Sequence, residues 1–135
     1  MTRIIHFNAC TPKALAILFE ETYEDSCRRI QAAGGNYRAV TGEALHRVLA
    51  PYDIAEVQEH RRPRIFSNWR RGKLGYWVVI VTGIGASSGH CLVLRHGKAY
   101  DNGWVGQWHG RIMSLRVHVA WRVRQVATGG QPVLL

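Results

Sequence analysis

No apolar run in the sequence approaches the roughly 18 residues that a membrane-crossing helix needs, so the pattern excludes a helical span. The start, Met1 to His6, lacks the long apolar stretch of a secretory signal. The expectation is a cytoplasmic product with no membrane partner. Cysteine is scarce: Cys10, Cys27 and Cys91 are odd in number and form no C-x-x-C pair, which argues against a full disulfide framework and a zinc cluster. Unbridged thiols, no metal and no cofactor are expected. Acid is scarcest in the second half, where residues 60–135 hold Asp101 alone against twelve bases, a net +11, while residues 1–59 sum to −2. Repeats, low-complexity tracts and linkers are absent too. With 135 residues, 47% of them hydrophobic, the chain reads as one domain, 1–135, large enough to bury a core.

What is present divides into two halves. Thr11-Pro12 reads as an N-cap followed by proline at the first helical position, and Ala14, Leu15, Leu18 and Phe19 recur at helical spacing. A second helix, about Tyr23 to Ala33, carries Tyr23, Cys27 and Ile30 on one stripe and ends at Gly34-Gly35. A third runs from about Gly42 to Ala50 after Thr41 and stops at Pro51. Asp53-Ile54-Ala55-Glu56 has capping-box spacing and predicts one more helical turn before the basic stretch His60 to Arg64.

The second half reads as strands. Tyr76 to Val81 is a β-branched and aromatic run, and His90 to Arg95, His96-Gly97 and Lys98 to Asp101 have the pattern of a hairpin with a two-residue turn. From Met113 to Val123, apolar Met113, Leu115, Val117, Val119, Trp121 and Val123 alternate with Ser114, Arg116, His118, Ala120 and Arg122, predicting one dry face and one basic face. N-terminal helices packed on a C-terminal antiparallel sheet make an α+β domain.

Chemistry can be placed on this frame. A thiol is a nucleophile as thiolate, and a helix N-terminus favours that anion through its unsatisfied N–H groups. Cys10 stands at such a terminus, so it is the candidate nucleophile. A base from a distant rigid element and a third group to orient it complete the requirement. His90 and Asp101 fit: with His96-Gly97 as the turn, Arg95 pairs with Lys98 and Leu92 with Asp101, which makes Asp101 a diagonal neighbour of His90 on one face. Asn102 falls on the other face and is the alternate orienting residue.

These residues carry a resemblance. Asn8-Ala9-Cys10-Thr11-Pro12-Lys13-Ala14-Leu15-Ala16 opening a helix, and Gly89-His90-Cys91-Leu92-Val93-Leu94-Arg95-His96-Gly97-Lys98-Ala99-Tyr100-Asp101 as a hairpin, resemble the papain-like cysteine peptidase superfamily. Within it, the chain looks like small phage and bacterial proteins similar to bacteriocin-processing peptidase domains. The resemblance implies a papain-like fold, a Cys10-His90-Asp101 triad, an oxyanion hole lined by Asn8 or the Cys10 backbone N–H, and a peptide or protein substrate. It also implies a phage setting, in the host cytoplasm or the virion. The upstream glutamine familiar in the superfamily is missing, and Asn8 is the nearby amide.

A second function class is open. Fifteen of the eighteen bases are Arg, whose planar fork binds phosphate and carboxylate bidentately. Arg61, Arg62, Arg64, Arg70, Arg71 and Lys73, interleaved with Phe66 and Trp69, could grip nucleic acid or an acidic protein, with Arg116, Arg122 and Arg124 as a second footprint. In that reading the thiol is incidental. Cys27 and Cys91 read as core thiols, and the histidines other than His90 as surface or hydrogen-bonded groups.

Overall fold

The computed structural model describes residues 5–6, 10–37, 39–82, 88–100, 113–128 and 131–134. After strand β1 (Ile5–His6) come helices α1 (Cys10–Phe19), α2 (Tyr23–Ala32) and α3 (Gly42–Leu49), then a 3₁₀ turn at Ala50–Tyr52. Strand β2 (Ile54–Ile65), helix α4 (Phe66–Trp69) and strands β3 (Tyr76–Thr82), β4 (Ser88–Arg95), β5 (Lys98–Tyr100) and β6 (Arg116–Val123) follow. Strands β7 (Gln125–Thr128) and β8 (Gln131–Leu134) pair with each other. The architecture is α+β, as the patterning predicts.

The helices form where local chemistry supports them. Thr22 and Thr41 cap α2 and α3 by accepting from Asp25 N and Ala44 N at 3.1 and 3.2 Å, which satisfies donors a helix leaves unpaired at its start. Gly34, at φ +82°, follows α2 in the left-handed region that glycine adopts without strain. Gly35 lets α2 and α3 approach, since a Cβ there would lie 2.9 Å from Ile30 Cγ2 and 3.0 Å from Ala44 Cβ. The first helix departs from expectation. It starts at Cys10, with Thr11 inside its first turn, and the buried Thr11 hydroxyl has no hydrogen-bond partner among the described residues. Pro12 is tolerated there because the first-turn N–H groups have no intrahelical acceptor.

The main sheet has the order β1-β4-β3-β6-β2, with β5 hydrogen-bonded to β4. Its pairings are antiparallel except β1 with β4, which is parallel and sets His6 beside Gly89. The His96-Gly97 turn is formed with both residues at positive φ, 48° and 84°, and joins Arg95 to Lys98 as the turn length predicts. The expected helical turn after Asp53 is absent. Asp53 is left-handed (φ 58°), and Ile54 onward is a twelve-residue strand laddered to β6. Capping-box spacing is a local preference, and the cross-strand pairing of seven residues of the strand with β6 outweighs it.

Both faces of the sheet are covered. On one face, Leu15, Leu18 and Phe19 of α1, Ile30 of α2 and Leu45 and Leu49 of α3 pack on Val78, Ile80, Cys91, Val93, Val119 and Trp121. On the other, Phe66 and Trp69 of α4 pack on Trp77, Val79, Val81, Leu92, Leu94, Val117 and Ala120. The expected dry and basic faces of residues 113–123 are therefore corrected: Val117 faces the second cluster, Val119 and Trp121 the first, and Ala120 is buried with the second. The cause is a bulge at His118, where Ile80 pairs with Val119 but Val81 pairs with Val117. An extra residue on one strand reverses the parity beyond it.

Candidate functional site

Cys10 is the first residue of α1 and is 3% exposed. The helix lies along β4, and the Arg95 guanidinium near the end of that strand donates to the Ile17 carbonyl.

The register qualifies this juxtaposition. His90 pairs with Val81 and Cys91 with Ile80, and cross-strand partners share a face. Val81 belongs to the second cluster and Ile80 to the first. Half-buried His90 thus leaves β4 on the face opposite α1, while Cys91 shares the buried cluster of Cys10. Cys10 therefore lies on the helix-covered side of β4 and His90 leaves the strand on the other side. Asn8, Asp101 and Asn102 lie outside the described residues; the hairpin register leading towards Asp101 is formed as far as Val93 with Tyr100. Cys27 and Cys91 are buried, matching their reading as core thiols.

The basic residues separate into two groups. Arg70 donates to the Gly97 carbonyl at 3.2 Å, Arg122 Nε is 3.6 Å from Glu56 Oε1, and Arg124 Nε is 3.3 Å from Asp53 Oδ2. Arg116 is half-buried at the start of β6 and Arg71 is exposed after α4. Arg61, Arg62 and Arg64 are exposed on β2, at the end of the main sheet path. Phe66 and Trp69 are 0% and 1% exposed, which corrects the expectation of aromatics interleaved with the bases: they are core, and a stacking platform needs an exposed ring face.

Around the exposed arginines the sheet is irregular. Glu59 pairs with Val119 but Arg64 pairs with Val117, so residues 60–63 bow out opposite His118. His60 and His118 are half-buried there, and Lys73 Nζ stands 4.7 Å from the Trp69 ring centroid. Burial holds the His60 imidazole below its ordinary pKa, with Arg64, Lys73 and His118 adding repulsion. Burial likewise lowers His118, and burial with Arg64 lowers Lys73 against the opposing pull of Glu56. The Nε2 of His60 is buried with no hydrogen-bond partner among the described residues. Sequence reading missed His60 and His118, because their meeting depends on two strand irregularities that leave no local pattern.

Elsewhere, a groove of about 640 Å³ lies between Glu20 and Ala32. Four of its charged groups pair with one another: Arg29 Nε donates to Glu21 Oε1 at 2.8 Å, and Arg28 pairs with Asp25, lowering the Asp25 carboxyl pKa. Among the described residues no three His, Cys, Asp or Glu side chains are arranged to hold a metal ion, and no helix is long and apolar enough to cross a membrane. No protein-family model, curated protein sequence or solved structure significantly matches the chain.

Proposed function

We propose that the chain is a papain-like thiol hydrolase acting on a peptide or isopeptide carbonyl. The observation that carries this reading is the place of Cys10, first in a helix that runs along the strand bearing His90. In the proposed reaction Cys10 Sγ attacks the carbonyl carbon while His90 accepts the thiol proton. The tetrahedral intermediate collapses as His90 returns that proton to the leaving amine, and water then releases the acyl group and restores the thiol. Asp101 is proposed to hold the second imidazole nitrogen, with Asn102 as the alternate, and Asn8 or the Cys10 N–H to donate to the developing oxyanion. A cytoplasmic or virion setting, phage-encoded, belongs to the same proposal, and three cysteines without a disulfide suit a reducing compartment.

Because the His90 side chain leaves β4 on the face of Val81, the proposed proton transfer requires the imidazole to reach Cys10 from the opposite side of the strand, and this is the step to test. Iodoacetamide labelling of the folded protein at neutral pH, read by peptide mass spectrometry, should modify Cys10 at least about tenfold faster than Cys27 or Cys91. His90→Ala should slow Cys10 labelling by about tenfold or more, with an unchanged far-UV spectrum. Equal labelling of the three thiols, or indifference to His90→Ala, would sink the hydrolase reading.

A further inference from the structure

The bowed segment of β2 gathers basic side chains that have no role in the proposed thiol chemistry. His60, Arg64, Lys73 and His118 come from three separate stretches of chain; burial chiefly lowers the pKa values of His60 and Lys73, with repulsion from Arg64 and, on His60, from Lys73 and His118 adding to it. The acid facing Lys73 is Glu56, whose carboxylate already accepts from Gln58 Nε2 at 2.7 Å and lies 3.6 Å from Arg122. Like charges brought together around an unpartnered buried imidazole nitrogen cost folding energy, and an anion seated among them would relieve it. We propose that this bulge binds a phosphate of a nucleic-acid backbone, with His60, Arg64, Lys73 and His118 around the phosphate and Arg61 and Arg62 extending the contact along the strand.

Two observations favour a phosphodiester chain over an acidic protein. The nearby rings of Phe66, Trp69 and Trp77 are 0%, 1% and 2% exposed, so the site offers charge and N–H donors but no aromatic anchor of the kind that protein interfaces concentrate at their centre. Exposed Arg61, Arg62 and Arg64 instead resemble the polar, strongly positive surfaces that meet nucleic acid. Burial of the same rings points to contact through the phosphates and not through stacked bases.

The test is fluorescence anisotropy of a labelled DNA duplex of about 20 base pairs against the full chain between about 50 and 200 mM salt, where each phosphate neutralised adds about 0.9 to the log–log slope. Arg64→Gln with Lys73→Gln should flatten that slope by about 0.9, the share of the one phosphate they hold, and Arg64→Lys with Lys73→Arg should restore it. Arg28→Gln, on α2, should leave it nearly unchanged. Affinity should rise from pH 7.5 to 5.5 as phosphate favours charged imidazoles, and His60→Gln with His118→Gln should abolish the rise. Circular dichroism of each variant reports its folding independently. Equal flattening by Arg28→Gln would mean diffuse attraction and overturn the site. Displacement of the duplex by polyglutamate at equal charge concentration would reassign the surface to acidic proteins, and binding indifferent to Arg64 and Lys73 would also refute the proposal.

Discussion

His60 and His118 show what a single titratable group contributes in this fold. Both are held below the ordinary imidazole value, first by burial, with Arg64, Lys73 and His118 also acting on His60. The unfolded chain therefore takes up protons at higher pH than the folded one. Above about pH 7 both states are neutral at these positions and stability is unaffected, whereas below about pH 6.5 protonation favours unfolding. Glu56 faces Lys73 and partly offsets the local charge. The thermal midpoint should fall from pH 7.5 to 5.5, and His60→Gln with His118→Gln should make the profile flatter; a profile unchanged by that double variant would show that other groups set it. Cys91 offers a residue-scale contrast. It follows the candidate base in sequence, yet strand alternation puts it in the helix-covered core with Cys10.

At the scale of elements, the short helices depend on their caps. Thr41 Oγ1 accepts from Ala44 N at 3.2 Å at the start of the eight-residue α3, so Thr41→Ala should cost about 1 kcal/mol in chemical denaturation. A loss near zero would mean that packing of Leu45 and Leu49 alone holds the helix. Caps were legible because a threonine followed by an apolar stripe is a signal within four residues. The His96-Gly97 hairpin was legible for the same reason, down to its Arg95–Lys98 pair. β2 was not: its Asp53-to-Glu56 start mimics a helix entry, and its alternation is interrupted where residues 60–63 bow out. The strand exists because β6 supplies its hydrogen-bond partners.

For the molecule as a whole, β3 ties the two apolar clusters together. It sends Val78 and Ile80 to the helical side and Val79 and Val81 to the α4 side, all 0% exposed. Leu15→Ala in one cluster and Leu92→Ala in the other should each destabilise by about 2–5 kcal/mol, with one cooperative transition and an unchanged denaturant slope in both variants. Two separated transitions would show that the clusters unfold independently. This two-sided burial also explains why the period-two pattern of residues 113–123 misread the faces. Alternation distinguishes a dry from a wet side, but here both sides are dry at the centre and the bulge at His118 exchanges them.

The sequence by itself determined the α+β class, the positions of α2 and α3, the strand from Tyr76, the hairpin turn and the placement of Cys10 at a helix start. Each is specified by neighbours within one or two turns of chain, where propensity, capping and apolar spacing act. The tertiary structure alone decided that Ile54–Ile65 is a strand, that α1 lies along β4, that His90 and Cys91 take opposite faces, and that His60, Arg64, Lys73 and His118 converge. Those outcomes follow from pairing between distant segments, in which a one-residue irregularity moves a side chain from one face to the other without leaving a mark on the local sequence.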